Sequence, residues 1–390
     1  MDCPQADPLS TVEYLKALNR KAVEQRIPLS GSIGLTHRCN LKCVHCYLGA
    51  GGVGRETGKQ ELSTAQWLSI LDQVTEAGCL YLLITGGEPL LRQDFPVIYR
   101  HAKQNGLLVT VFTNGTLVTE DILDLFAGLP PQKVEISLYG STEETYEKIT
   151  GVPGSFERCM SGIRRLLDAR LHVGLKTILM TLNRHEFHAI ERMARDMGVR
   201  FRFDAAIFPC FNGDQTPLQL RVPPAEVVAK EMADEERLKG WCDFFARQGE
   251  SIPSEFLYQC AAGVTAFHID PYGRLTPCLM VGDPSCDLTS NTFRTGWQGV
   301  IPRLHERKTD ERSVCNTCGK RTLCGYCPAF FATENGAEDV RSEYLCTIGH
   351  LRYEAITGQN CPSQGERAED GYPKHAADEA ILREAETSRH

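Results

Sequence analysis

The 390-residue sequence predicts an α/β chain: a parallel sheet wound with helices, followed by a small, irregular, cysteine-rich domain. Three observations predict it. Up to residue 206, short apolar runs alternate with longer amphipathic stretches, the pattern of strands joined by helical crossovers. The runs number six, too few for a closed eight-fold barrel. From Cys260 to Cys346 the cysteines crowd together and regular periods shorten.

The elements follow in order. Residues 1–30 are polar, with a helix predicted over 11–24. Strands are predicted at 33–35, 80–85, 108–113, 134–138, 175–180 and 199–203. Between them, 63–77, 119–126, 155–169 and 186–197 have helical periodicity. Ser63 and Ser155 suit N-caps, and Gly78 and Gly198 suit helix stops. Pro and Gly make 207–224 a connection, and 225–248 is helical. The last residues, 362–390, have the Ala, Glu, Ser and Arg content of a mobile tail. The expected domains are 1–30, a barrel over 31–235, a cysteine-rich domain over 236–361, and the tail.

Composition excludes several classes. A hydrophobic fraction of 42% supports a sizeable core. The net charge of −8, without a basic stripe, gives no sign of nucleic-acid binding. No charged start leads into an apolar core at the N-terminus, so no signal peptide is expected. No apolar run approaches the ~18 residues a membrane span needs. Seventeen cysteines without a secretion signal argue for metal ligation in a reducing, cytoplasmic setting rather than disulfides. Cys79, Cys159, Cys210 and Cys242 have no neighbour at ligand spacing and are expected to be buried free thiols.

The chemistry starts at Cys39, Cys43 and Cys46, a Cx3CxxC run directly after the first apolar stretch. Three thiolates on one loop can hold three irons of a 4Fe–4S cluster and leave the fourth open to a small molecule. The competing reading is zinc, but zinc prefers four ligands built from CxxC pairs, and this run is one short. Gly86-Gly87-Glu88-Pro89 closes the second predicted strand, where paired glycines allow close approach to the backbone. Thr113-Asn114-Gly115 ends the third strand, Ser137 the fourth, and Lys176 lies in the fifth. Taken alone, these are also ordinary turn residues and a solvent-facing lysine.

With these motifs in this order, the chain resembles the radical S-adenosylmethionine (SAM) enzymes. The resemblance implies a partial (β/α)6 barrel with the cluster loop after its first strand. It implies that Gly86, Gly87 and Glu88 receive the amino group of SAM. Thr113, Asn114 and Ser137 would lie around its ribose or carboxylate, and Lys176 would face the carboxylate. Further on, Cys260, Gly273 with Cys278, Cys315, Cys318, Cys324, Cys327 and Cys346 resemble a SPASM domain, which binds two auxiliary 4Fe–4S clusters. By that resemblance Cys315, Cys318, Cys324 and Cys346 hold the distal cluster, and Cys260, Cys278 and Cys327 the one nearer the barrel. The last pair departs from the usual spacing, being CxxC. Either Cys286 completes the nearer set or one iron stays open. CxxC pairs alone are also zinc-like, but seven cysteines do not divide into two fours.

The family implies reductive cleavage of SAM to a 5′-deoxyadenosyl radical that takes a hydrogen atom from a substrate. For a SPASM protein the expected substrate is a ribosomal precursor peptide, to be cross-linked or altered. The expected electron donor is a flavodoxin or ferredoxin. Sulfatase-maturing relatives carry an Asp base where this chain has Leu279, which puts that activity in doubt. The residues before the first strand are too few for a peptide-recognition domain, so leader recognition is expected to need a separate protein or another surface. Two alternatives stand beside this reading: a radical enzyme acting on a small molecule such as a tetrapyrrole, and a non-enzymatic iron–sulfur electron carrier.

Overall fold

A computed structural model describes residues 10–49, 60–310 and 313–358. The predicted tail lies outside the described residues. Six parallel strands form the frame, β1 (Ser30–Gly34), β2 (Tyr81–Thr85), β3 (Leu108–Thr113), β4 (Lys133–Ser137), β5 (Val173–Ile178) and β6 (Arg200–Asp204). Each pairs in parallel with the next. The crossovers are α2 (Thr64–Glu76), α3 (Phe95–Gln104), α4 (Glu120–Gly128), the pair α5 (Glu143–Thr150) and α6 (Ser155–Asp168), and α7 (Phe187–Asp196), while α1 (Thr11–Gln25) precedes the sheet. Alternation along the strands decides what faces where. Leu82, Ile84, Val109, Val111, Val134, Ile136 and Leu175 are buried in one cluster with Trp67, Phe95, Tyr99 and Phe126 from the helices. The opposite positions, among them Phe112, Glu135, Ser137 and Lys176, lie on the other face of the sheet. Trp67 is fully buried, and removing a side chain of that size from a core costs about 3–5 kcal/mol.

Helix ends follow local chemistry. Ser63 forms a capping box with Gln66, as expected. Gly78 and Gly198 follow their helices with φ of +100° and +67°, conformations that favour glycine. Ser155 does not cap: Gly154 holds that position, and the Ser155 hydroxyl pairs instead with Thr150, 2.8 Å away. The single helix expected over 225–248 is two, α8 (Pro224–Met232) and α9 (Glu235–Gln248). The break comes at Asp234, whose side chain accepts the Arg237 N–H and starts a new helix.

The sheet does not stop at six strands. β7 (Ala266–Ile269) pairs in parallel with β1, and β8 (Arg274–Thr276) and β9 (Cys286–Asp287) continue antiparallel. The cysteine-rich domain thus begins by extending the barrel sheet, giving the order β6-β5-β4-β3-β2-β1-β7-β8-β9. Strands this short carry too little periodicity to be read, and the partner of β7 is far away in sequence. After β9 come α10 (Phe293–Gly299), α11 (Arg321–Cys324), α12 (Pro328–Asn335) and α13 (Glu343–Gly358). Cys79, Cys159 and Cys210 are buried free thiols, as expected. Cys242 is not: it is disulfide-bonded. Among the described residues, no helix is long and apolar enough to cross a membrane.

Candidate active site

The loop after β1 carries Cys39, Cys43 and Cys46 over the C-terminal ends of the strands. It has little regular structure, so its shape depends on neighbours. The turn after β2 holds its first half. Gly87 N–H donates to Thr36 O at 2.6 Å and Glu88 N–H to Arg38 O at 2.9 Å. A Cβ on Gly86 would lie 2.4 Å from Thr36 O, and one on Gly87 2.3 Å from Arg38 O. Both glycines are therefore required by the approach of the cysteine loop itself. The end of α5 holds the middle, with Lys42 N–H on Thr150 O and Val44 N–H on Ile149 O.

Glu88 is fully buried. Its carboxylate accepts from Leu90 N–H at 3.0 Å, Thr113 Oγ1 at 2.8 Å and Asn114 N–H at 2.7 Å. Burial nevertheless pushes its pKa up, to about 7, against those hydrogen bonds. Asn114 Nδ2 donates to Asn40 Oδ1 at 2.9 Å and approaches Cys39 Sγ at 3.9 Å. Glu88, Thr113 and Asn114 are thus one network reaching from the strand ends to the first thiol.

Ser137 pairs in register with Lys176, which places these two predicted residues side by side. Burial pushes the Lys176 ammonium down to about 7, and its Nζ lies 3.2 Å from the Phe112 ring centroid. Among the described residues it meets no hydrogen-bond acceptor. A desolvated cation facing the concave side suits an anionic group. Glu135 and Arg202 pair nearby.

The thiols are crowded. Burial pushes Cys46 up to about 11, with smaller contributions from Cys39 and Cys210. Cys43 is raised further, by burial and then by Cys46 and Cys39. Metal ligation requires thiolates, and binding a cationic centre relieves this repulsion. The residues present therefore fit a thiolate-held iron–sulfur cluster. Sequence reasoning missed three neighbours: Asn40, His45 and Tyr139. The His45 and Tyr139 rings meet edge-on at 4.6 Å between centroids, and Tyr139 lies close enough to be affected by all three thiols. Tyr139 continues the alternation of β4 past Ser137, the one signal that could have found it.

The second thiol group divides. Beside the larger effect of burial, Cys318 and Cys346 raise Cys315, all three raise Cys324, and Cys318 raises Cys346. Cys260, Cys278 and Cys327 form a separate trio. Cys286 joins neither: it is buried in the barrel core, where a Cβ on Gly296 would lie 3.0 Å from its Sγ.

Known proteins resemble this chain in sequence and in fold. Residues 33–197 match the family model of the Radical SAM superfamily. The chain is 28% identical to an AdoMet-dependent heme synthase of Methanosarcina barkeri over 76% of this chain and 89% of that one. It is also 28% identical to the mycofactocin maturase MftC of Mycobacterium tuberculosis, over 76% and 77%. Among solved structures, SuiB of Streptococcus suis bound to S-adenosylmethionine superposes with a TM-score of 0.67 at 18% identity, over 87% of this chain and 84% of that one. SuiB bound to its precursor peptide SuiA superposes with a TM-score of 0.62 at 17% identity, over 89% and 83%. Residues 33–197 are a radical SAM domain, and the chain is a radical SAM enzyme, of the kind that uses a 4Fe–4S cluster and SAM.

Proposed function

We propose that this enzyme modifies a ribosomal precursor peptide, forming a cross-link or an altered residue. When bound, the cluster and SAM supply a 5′-deoxyadenosyl radical that takes a hydrogen atom from an unactivated carbon. In this reading Cys39, Cys43 and Cys46 hold the cluster. Gly86, Gly87 and Glu88 serve the SAM ammonium, Thr113, Asn114 and Ser137 flank the cofactor, and Lys176 takes its carboxylate. Cys315, Cys318, Cys324 and Cys346 hold a distal auxiliary cluster. Cys260, Cys278 and Cys327 hold a nearer one whose fourth iron is open, since Cys286 is committed to the core.

One observation carries the choice of substrate. A cavity of about 370 Å³ lies between the cysteine loop and the nearer trio. Tyr258, Met280 and Ala329 line it, each two residues from one of the trio. Across from them, Phe211 N–H donates to Tyr47 O at 2.8 Å and Cys210 Sγ to Cys46 O at 3.2 Å. A second recess shares Phe211, Val281 and Gly282 and continues to His37, His268 and Arg274. The result is a groove of mixed character, in which Phe211, Met280, Val281 and Ala329 stand beside Asp283, Arg307 and Glu338, a lining that suits the mixed side chains of a peptide.

Its charge separates the readings. The groove holds two guanidiniums, and both are engaged: Arg307 with Asp283 and Glu338, Arg274 with the Gly282 carbonyl. With Asp270 present as well, the guanidiniums that line it among the described residues are already engaged, which disfavours the several carboxylates of a tetrapyrrole, despite the similarity to a heme synthase. The reading includes a flavodoxin or ferredoxin as electron donor and a separate leader-recognition protein. The test is anaerobic incubation of reconstituted enzyme with SAM, a strong reductant and the small peptides encoded beside its gene. Methionine, 5′-deoxyadenosine and a peptide lighter by two hydrogens, or of unchanged mass but altered residue, are expected. Turnover of a tetrapyrrole with no peptide modified would overturn the reading.

A further inference from the structure

We propose that the recess beside the groove is a specificity pocket, in which His268 accepts a hydrogen bond from a serine or threonine hydroxyl of the peptide. This rests on the reading of the groove as the peptide site. His268 is a polar side chain that the fold buries there without using it fully. It is 5% exposed and stands on β7 in register with Ser32 of β1. Its neighbours Phe267 and Ile269 pack into the core, so the imidazole lies on the opposite face of the sheet.

One ring nitrogen is committed and the other is not. Nδ1 lies 2.8 Å from Ser32 Oγ. Ser32 has one hydrogen to give, and the Phe267 carbonyl takes it at 3.5 Å. Nδ1 therefore carries the ring proton and donates to Ser32, and Nε2 keeps its lone pair. Among the described residues Nε2 has no hydrogen-bond partner, and it is not one of the polar atoms sealed inside the core. It reaches along β1 as far as Gly34, where a Cβ would lie 3.9 Å away, and the residue lines the recess. Burial, and next the neighbouring His37, pushes the ring's pKa down to about 3. The imidazole thus stays neutral and offers an acceptor throughout the neutral pH range.

The rest of the recess decides the donor. Its carboxylate, guanidinium and threonine hydroxyl are engaged within the fold. Asp270 Oδ1 accepts Tyr272 N–H and Arg274 N–H, each at 2.9 Å. The Arg274 guanidinium donates to the Gly282 carbonyl, and Thr276 Oγ1 donates to Cys278 O at 3.0 Å. An ammonium entering here would lose its water beside a carboxylate already engaged, so a neutral donor is favoured. The volume is about 40 Å³, room for a short side chain. Phe211, Val281 and Gly282 are shared with the larger cavity, so a peptide lying in the groove can turn one side chain into the recess. A hydroxyl on a short side chain meets each condition: it is neutral, small and able to donate.

The test uses the full reconstituted chain and the peptide it modifies among those encoded beside its gene, with each serine of that peptide replaced in turn by alanine and each threonine by valine. One replacement should raise KM about tenfold, the effect of losing one hydrogen bond and leaving its buried partner unpaired, with a smaller change in kcat. His268→Leu should raise KM for the unaltered peptide by the same factor, and the two changes together should cost no more than either alone. His268→Gln, whose amide oxygen can accept, should recover most of the loss. Iron content confirms that each variant is loaded; where His268→Leu loses iron, His268→Phe, which keeps the ring in place, is measured instead. Unchanged KM in the His268 variants, losses that add, or a modified peptide with no serine or threonine would overturn the pocket and leave the peptide reading standing. Modification of none of the peptides would overturn that reading and the pocket with it.

Discussion

Glu88→Gln tests the network that links the strand ends to the cysteine loop, and it does so through pH. Folding raises the Glu88 pKa from 4.5 to about 7, chiefly by burial. A carboxyl raised on folding favours the native state only while it stays protonated there. Its stability contribution is full below about pH 4.5, falls as pH rises, and is lost by about pH 7. The shift corresponds to about 3 kcal/mol. Gln has no such titration. Its amide also places an N–H where the carboxylate accepted a hydrogen bond, from Asn114 N–H or from Leu90 and Thr113, at about 1–3 kcal/mol. Glu88→Gln should therefore be destabilising at pH 5 and neutral or stabilising at pH 8. Urea midpoints of the cluster-free chain, variant minus wild type, would show this drift without interference from other groups. SAM affinity of the loaded enzyme at pH 8 should fall over the same substitution, because the carboxylate proposed to receive the SAM ammonium is lost; calorimetry reads this. A variant-minus-wild-type difference that stays constant from pH 5 to pH 8 would refute the reasoning, since the hydrogen bonds would then hold Glu88 ionised throughout.

Gly87→Ala would drive a Cβ to 2.3 Å from Arg38 O; the expected result is loss of about four irons with both auxiliary clusters retained, read by iron analysis. Replacing Cys39, Cys43 and Cys46 together by Ala should abolish 5′-deoxyadenosine formation while the auxiliary signals persist in electron paramagnetic resonance. Cys286→Ala should leave the iron content and spectrum of the nearer cluster unchanged, because that thiol packs in the barrel core; loss of that cluster alone would show that Cys286 closes it. Lys176→Met should weaken SAM binding about tenfold or more, as expected for removing one charge-assisted bond, without loss of iron.

Much of the barrel was legible because its strands bury one face against helices and repeat the same βα unit. The apolar runs at 80–85 and 108–113 fall on β2 and β3 almost residue for residue. β7 to β9 were not legible, since four, three and two residues carry no usable period and β7 finds its partner only through the fold. The thiol groupings came from the resemblance to a SPASM domain, which left the place of Cys286 open: in sequence it sits near Cys278, in space it faces Leu275 and Gly296. Gly86 and Gly87 were read as room for a ligand, and a second need for them was not legible: their missing side chains admit the backbone of residues 36–38. The break at Asp234 and the cap at Gly154 were decided by single hydrogen bonds and a positive φ, finer than a periodic pattern resolves.

The cysteine loop raises a physical question that the motif alone does not answer. A short, irregular segment has little to hold three thiols in one arrangement, and loops without packing are the mobile parts of a fold. Here the rigidity comes from elsewhere in the chain. The Gly86-Gly87-Glu88 turn binds the loop from one side, the end of α5 from another, and the segment after β6 from a third through Phe211 N–H on Tyr47 O. Asn114 adds a side-chain contact to Asn40 and Cys39. Each anchor is a backbone or buried polar contact, and each comes from a different crossover of the sheet. The segment after β6 also lines the cavity shared with the nearer thiol trio. Positioning of the three thiols and shaping of the groove are therefore one structural problem, and a substitution at Phe211 should disturb both together.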